Sequence, residues 1–243
     1  MIILDMLEPY LQELSARNYS QETINRRVYS LRSFIHFLGL REVVLVDQLN
    51  ADVLEEYKHD LTFRHTDSNK KLSAQTKRGY LSVVRSFCGY LHGKELLVNN
   101  PAADLVMPKI PKRLPRVILT LAEIRKLIDG CDMNSNRGYR NRIIIEILYD
   151  TGVRGSELCR INCDDLDLAG GFLHIKSGKG DKDRVVPISS RVCDLIRRYK
   201  MLVRPAFARA DDDGTLILNR YGKMFSYKGV LKIVKICGAK AGL

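Results

Sequence analysis

Two short stretches carry side chains that could act on a phosphate: "DTGVRGSELCRI", Asp150 to Ile161, and "SGKGDKDRVVPIS", Ser177 to Ser189. In the first, Arg154 stands two residues past a helix-ending glycine, Gly152, and just ahead of a new helix that starts near Ser156. A guanidinium brings a permanent charge and five donors in a planar fork, and a helix start brings backbone amides; together they suit the non-bridging oxygens of a phosphate. Glu157, in the first turn of that helix, complements its dipole and can brace the arginine. The same residues also suit an ordinary interhelical ion pair between Arg154 and a neighbouring acid. In the second stretch Lys179 lies between Gly178 and Gly180 at the tip of a hairpin. Flanking glycines let the backbone approach a ligand and leave the lysine mobile, as a general acid reaching a leaving oxygen requires. Gly-Lys-Gly is also a common hairpin tip, and the G-x-x-x-x-G-K-[ST] spacing of a phosphate-cradling P-loop is absent. Lys182 and Arg184, next along the hairpin, read either as contacts to a nucleic-acid backbone or as solvated charge.

The elements that must position these residues follow from periodicity. Thr120 and Glu123 form a capping box for "LAEIRKLIDGC", and "YRNRIIIEILYDTG" is a longer helix stopping at Gly152. "DDLDL", "FLHIK" and "RVVPIS" predict three short strands, separated by Gly170-Gly171 and by the lysine hairpin. Residues 191–204 return to helix, "TLILN" (Thr215 to Asn219) predicts a brief strand, and "YKGVLKIVKICGAKAGL" is helical. The first hundred residues read as four helices: from Ile3 to Arg17, after Ser20 up to Gly39, after Asn50, and after Ser73 with Tyr80, Leu81, Val84, Phe87 and Leu91 inward. Between the two regions runs "MPKIPKRLPRVILT", with three prolines, four basic residues and no periodicity, which predicts an extended linker. The expected organisation is a helical domain over 1–107, a basic proline-rich linker over 108–117, and a second domain over 118–243. The fold class is mainly α with a small antiparallel β-sheet.

Lys and Arg total 40 against 28 Asp and Glu, a net charge of +12, which points to a polyanionic partner such as nucleic acid. Residues 1–107 hold about 13 charges of each sign, so the excess lies in the linker and beyond it. On the fourth helix Arg78, Ser82 and Arg85 fall at four- and three-residue spacing opposite the apolar face, with Lys77 beside them. Arg26 and Arg27 offer a second set on the second helix, and Lys112 and Arg113 place charge in the linker. Each could equally be a solvated face. The six cysteines show no C-x-x-C pair and no histidines at zinc spacing, which predicts reduced thiols in a cytoplasmic protein and no bound metal. The N-terminal stretch lacks the basic region and cleavage site of a signal peptide, and nothing resembles a membrane span.

The whole string "TGVRGSELCRINCDDLDLAGGFLHIKSGKGDKDRVVPIS" resembles the first half of the catalytic domain of tyrosine recombinases, the phage-integrase family that includes the bacterial chromosome-dimer resolvases. The helical region, the "PKIPKRLP" linker, the T-G-x-R-x-S-E-L box and the G-K-G-x-K-x-R-x-V-P hairpin extend the resemblance through nearly the whole chain. It implies a helical core-binding domain joined to a mixed α+β catalytic domain, closing around duplex DNA as a C-shaped clamp with the linker crossing the DNA. It also implies that Arg154 is the first of two phosphate-clamping arginines. Lys179 becomes the hairpin lysine that protonates the leaving 5′-hydroxyl, in a reaction passing through a 3′-phosphotyrosyl intermediate without metal or small-molecule cofactor. The implied partners are double-stranded DNA and other recombinase protomers on it. The family pattern continues with an H-x-x-R box and a nucleophilic tyrosine, and neither is present: none of His36, His59, His65, His92 and His174 is followed three residues later by arginine. The expectation is therefore a partial catalytic domain that binds DNA and does not cut it. The alternative is a non-catalytic DNA-binding protein that occupies or regulates recombination sites.

Overall fold

The computed structural model describes residues 1–66, 69–111, 118–176 and 183–243. Lys112, Arg113, Lys179 and Lys182, all singled out above, lie outside the described residues. The chain forms two compact units, Met1–Leu114 and Pro115–Leu243, a division falling inside the stretch 108–117.

The first unit is built from α1 (Leu7–Ala16), α2 (Gln21–Gly39), α3 (Ala51–Phe63) and α4 (Ala74–Gly93). Each of the last three starts where a side chain can satisfy an open backbone amide. Ser20 accepts from Thr23 N at 3.3 Å, Asn50 from Val53 N at 3.0 Å, and Ser73 from Thr76 N at 3.1 Å. The first helix begins later than its apolar pattern predicts, after a 3-10 turn over Leu4–Met6. Pro9 has no N–H to donate to the Asp5 carbonyl, so the regular ladder cannot extend back to Ile3. α2 turns Leu31, Phe34, Phe37 and Leu38 inward, all 1% exposed or less, against Leu81, Val84, Phe87 and Leu91 of α4. Each such burial stabilises by roughly 1.5–3 kcal/mol. Tyr57 of α3 fills the space between Phe34 and Phe37, with ring centroids at 4.9 and 5.0 Å.

In the second unit α5 (Leu121–Asp129) opens on the expected capping box, Glu123 Oε2 accepting from Thr120 N at 2.7 Å and Thr120 Oγ1 from Glu123 N at 3.3 Å. α6 (Asn136–Thr151) runs through the core with Ile143, Ile144 and Ile147 fully buried. α7 (Gly155–Arg160) follows, then β1 (Leu166–Asp167), β2 (Phe172–Ile175) and β3 (Arg184–Pro187) in an antiparallel sheet ordered β1-β2-β3. Leu173 pairs with Leu166 and Val186, and Ile175 with Arg184. The alternation of β2 puts Leu173 and Ile175 in the core and His174 outside. α8 (Ser190–Arg198) passes into a π turn over Tyr199–Val203 and a 3-10 turn over Arg204–Ala206, where Pro205 blocks any extension of the predicted single helix. α9 (Tyr227–Lys240) packs on α5, α6 and α7.

The predicted strand at "TLILN" is not formed. Thr215 bridges Asn162 and Leu218 bridges Met224 as isolated pairs, while Leu216, Ile217 and Leu218 are buried. Leu216 N bonds Ile161 O at 2.8 Å and Cys163 N bonds Gly214 O at 2.9 Å. The facing segment then turns into a 3-10 helix at Cys163–Asp165, so no strand edge continues the ladder. β propensity there reflects burial against the core rather than pairing.

Candidate phosphate site and nucleic-acid interface

In the second unit the junction between α6 and α7 sets Arg154. Gly152 ends α6 in the left-handed conformation, φ 63°, its N–H returning to Leu148 O at 3.1 Å. Val153 anchors the turn in the core at 4% exposure. Arg154, in extended conformation, is the N-cap of α7. Glu157 is 3% exposed and its carboxylate accepts four hydrogen bonds. Oε2 takes Arg154 N at 2.8 Å and Arg184 Nη2 at 2.7 Å; Oε1 takes Arg154 Nη1 at 2.8 Å and Arg184 Nη1 at 3.0 Å. Those bonds, led by the Arg184 pair, push the Glu157 carboxyl down to about 2. One buried carboxylate thus fixes two guanidiniums, while Arg154 keeps 56% of its side chain exposed and Arg184 36%.

Of the two sequence readings of Arg154, the ion pair takes a local form, three residues away within the helix that Arg154 caps rather than between helices, and it leaves the guanidinium partly open to solvent. Arg184, expected as a backbone contact or solvated charge, also braces Glu157 from the start of β3. Its spacing to Glu157, 27 residues, is invisible to any local pattern. Gly155 also has a packing reason that local sequence hides: a Cβ there would lie 2.8 Å from the Tyr227 ring of α9. Lys176, given no role from the sequence, pairs with Asp165 at 2.5 Å just before the hairpin. The space enclosed by Glu157, Arg160, Asp165, His174 and Lys176 is about 20 Å³, room for a single water. Among the described residues no three His, Cys, Asp or Glu side chains gather at metal-binding distance, and no described helix is long and apolar enough to cross a membrane.

In the first unit the predicted basic face separates into two kinds of residue. Arg78 and Ser82 are exposed on α4, Lys77 is partly buried beside them, and Arg26 on α2 is exposed in a 2.8 Å pair with Glu22. Arg85 does not belong to this face, contrary to its spacing. Its Nη2 donates to the Leu105 carbonyl, and its Nε is buried with no partner among the described residues. The segment after α4 folds back over that side of the helix, so an arginine three residues from Ser82 is partly covered by protein. Arg27 is partly buried and hydrogen-bonded within the unit, donating to Ser86 Oγ at 2.8 Å and to the Tyr10 hydroxyl, with its guanidinium 5.0 Å from the Tyr19 ring. It ties α2 to α1 and α4.

Between α2 and α4 lies a groove of about 690 Å³ lined by Arg26, Tyr29, Thr76, Gly79, Tyr80 and Val83 among others. Tyr29 is 68% exposed and its ring centroid lies 6.2 Å from that of Tyr80. Tyr29 was not singled out from the sequence, although it stands three residues after Arg26 and so shares its face.

A model of the phage integrase family matches residues 118–243, more than half of the chain. The chain belongs to the phage integrase family. Among its relatives, "Tyrosine recombinase XerC 2" of Ralstonia nicotianae is 29% identical over 235 residues, covering 97% of this chain and 67% of the relative. "Tyrosine recombinase XerD" of Staphylococcus epidermidis is 29% identical over 239 residues, covering 98% and 78%. The fold of this phage integrase family member is shared with a lambda integrase (residues 75–356) dimer bound to a COC' core site, at a TM-score of 0.73 and 16% identity, over 100% of this chain and 82% of that one. It is shared too with XerH site-specific recombinase bound to palindromic difH substrate, at a TM-score of 0.64 and 21% identity, over 96% and 67%.

Proposed function

We propose that the chain binds duplex DNA in site-specific recombination, with Arg154 engaging a backbone phosphate and Lys179 serving as the proton donor to a leaving 5′-oxygen in the complete reaction. The observation that carries this reading is the Arg154–Glu157–Arg184 cluster: a buried carboxylate holds a half-exposed arginine at a helix start. A cation already fixed in place loses little freedom when it meets a phosphate, and it stabilises charge that develops on the phosphate oxygens. In the first unit Arg26, Lys77, Arg78 and Ser82 supply contacts to DNA, and the linker residues Lys112 and Arg113 add charge along its backbone. Arg27 and Arg85 are left out of this set, because both are partly buried and already donate hydrogen bonds within the unit. XerH and lambda integrase are described on DNA, the latter as a dimer, and further protomers on the same DNA are the natural assembly for this chain as well.

These 243 residues contain no histidine followed three positions later by arginine, so they lack a second arginine in the family's pattern. They hold a phosphate without cutting it, and by themselves occupy a site in the manner of a DNA-binding protein. A nicked suicide duplex tests both halves of the proposal. Binding without a denaturation-resistant adduct is expected; an adduct would refute the second half, and absence of binding the first. Affinity must fall steeply with salt, with log K declining by about 0.9 per phosphate contact for each decade, and a flat profile would contradict a backbone-tracking complex.

A further inference from the structure

Cys131, just past α5, and Cys237, in α9, come from positions 106 residues apart, and their sulfurs lie 3.7 Å from each other. Both are free thiols in the core, 6% and 4% exposed. The contact joins two elements already packed together, since α9 lies against α5. At its other end α9 places Tyr227 against Gly155, next to Arg154. A disulfide bond is about 2.05 Å long, so the sulfurs need to close by under about 2 Å, a movement within reach of side-chain rotation and a small helix adjustment. The other three buried thiols sit differently: Cys88 lies in the first unit, Cys159 lies in α7, and Cys193 points its Sγ at the Ile188 carbonyl at 3.9 Å.

We propose that Cys131 and Cys237 form a redox-active dithiol in the second unit, whose oxidation by a low-molecular-weight disulfide ties α9 covalently to the end of α5. The step is two successive thiol–disulfide exchanges. One thiol, as thiolate, attacks the small disulfide, breaking its S–S bond and releasing one small thiolate that takes up the proton. The second cysteine thiolate then attacks the mixed disulfide, forms the Cys131–Cys237 bond and releases the other small thiol. The protein is oxidised by two electrons and the small disulfide is reduced by the same two. Burial, reinforced by the neighbouring Cys237, pushes the Cys131 thiol up to about 12. Exchange is therefore slow while α9 is closed and speeds up with rising pH and with opening of that helix.

The experiment uses the full 243-residue chain equilibrated in glutathione buffers of increasing oxidised fraction, then quenched, alkylated under denaturing conditions and mapped by mass spectrometry. The expected result is one intramolecular disulfide joining the peptides of Cys131 and Cys237, absent in Cys131→Ser and in Cys237→Ser and retained in Cys88→Ser. The closed loop of 106 residues raises the unfolding midpoint of the oxidised wild type by at least about 5 °C. Either of two results overturns the proposal: no disulfide in the folded wild-type chain at the most oxidising ratio, or a disulfide that maps to other cysteines. Because the wild-type map alone decides, a serine variant that fails to fold does not weaken the test.

Discussion

Glu157→Gln is the substitution that best probes the phosphate site, because it keeps the shape of the side chain and removes the charge. In the wild type both carboxylate oxygens face donors only, namely Arg154 N, Arg154 Nη1 and the two Nη atoms of Arg184. A glutamine can satisfy the donors at one oxygen, and it then turns its own NH2 toward the other pair. The carboxyl is lowered from 4.5 to about 2, which at about 1.36 kcal/mol per pH unit corresponds to roughly 3 kcal/mol in favour of the folded state. Arg154 and Arg184 keep 56% and 36% of their side chains exposed, so solvent screening reduces the expected loss to about 2 kcal/mol. Urea unfolding at pH 7 measures it directly. The sign with pH follows from the depressed carboxyl: its contribution is complete above about 4.5 and is lost as pH falls toward 2. The gap between wild type and variant is therefore constant above pH 5 and narrows below it. Loss of Arg154 positioning also weakens DNA binding by about tenfold, equivalent to about 1.4 kcal/mol. A variant as stable as wild type, or a stability gap that does not change between pH 5 and pH 3, would refute the role given to Glu157.

Arg154→Ala is expected to leave stability within about 1 kcal/mol, since its pair with Glu157 is half exposed, while reducing the salt slope of DNA binding by about 0.9. Fluorescence anisotropy on a labelled duplex across a salt series reads that slope. Arg78→Ala should likewise reduce the slope with no change in unfolding midpoint. Arg85→Ala should do the reverse, costing about 1–3 kcal/mol by leaving the Leu105 carbonyl without its donor and touching the slope little. Equal effects of the two on binding would show that the face of α4 has been divided wrongly. Gly79→Ala, at a helical position where an added Cβ meets nothing within 4 Å, should stabilise by about 0.5–1 kcal/mol in thermal unfolding.

The sequence by itself determined most of the secondary structure and the local frame around Arg154 in which we propose a phosphate is held. Helix starts were legible because Ser20, Asn50, Ser73 and Thr120 carry the chemistry that open backbone amides need, and that chemistry acts within three residues. Arg154 was legible for the same reason: Gly152, Arg154 and Glu157 are a local grammar of one helix ending and another beginning. Where local signals failed, the deciding contact came from far along the chain. The buried run at Leu216, Ile217 and Leu218 has a strand's composition and finds no partner edge.

Only the tertiary structure decided which cations are available. Arg78 and Arg85 are seven residues apart on one helix and look alike in sequence, yet one faces solvent and the other is covered by the segment around Leu105. Arg26 and Arg27 are adjacent, and the helical turn sends one outward and the other onto Tyr10 and Ser86. Arg184 reaches Glu157 only because β3 pairs with β2 beside α7, and Cys131 meets Cys237 only because α9 packs back on α5. Spacing along a chain reports which residues share a face. Whether that face meets water, a carboxylate or another thiol depends on what the rest of the chain lays over it.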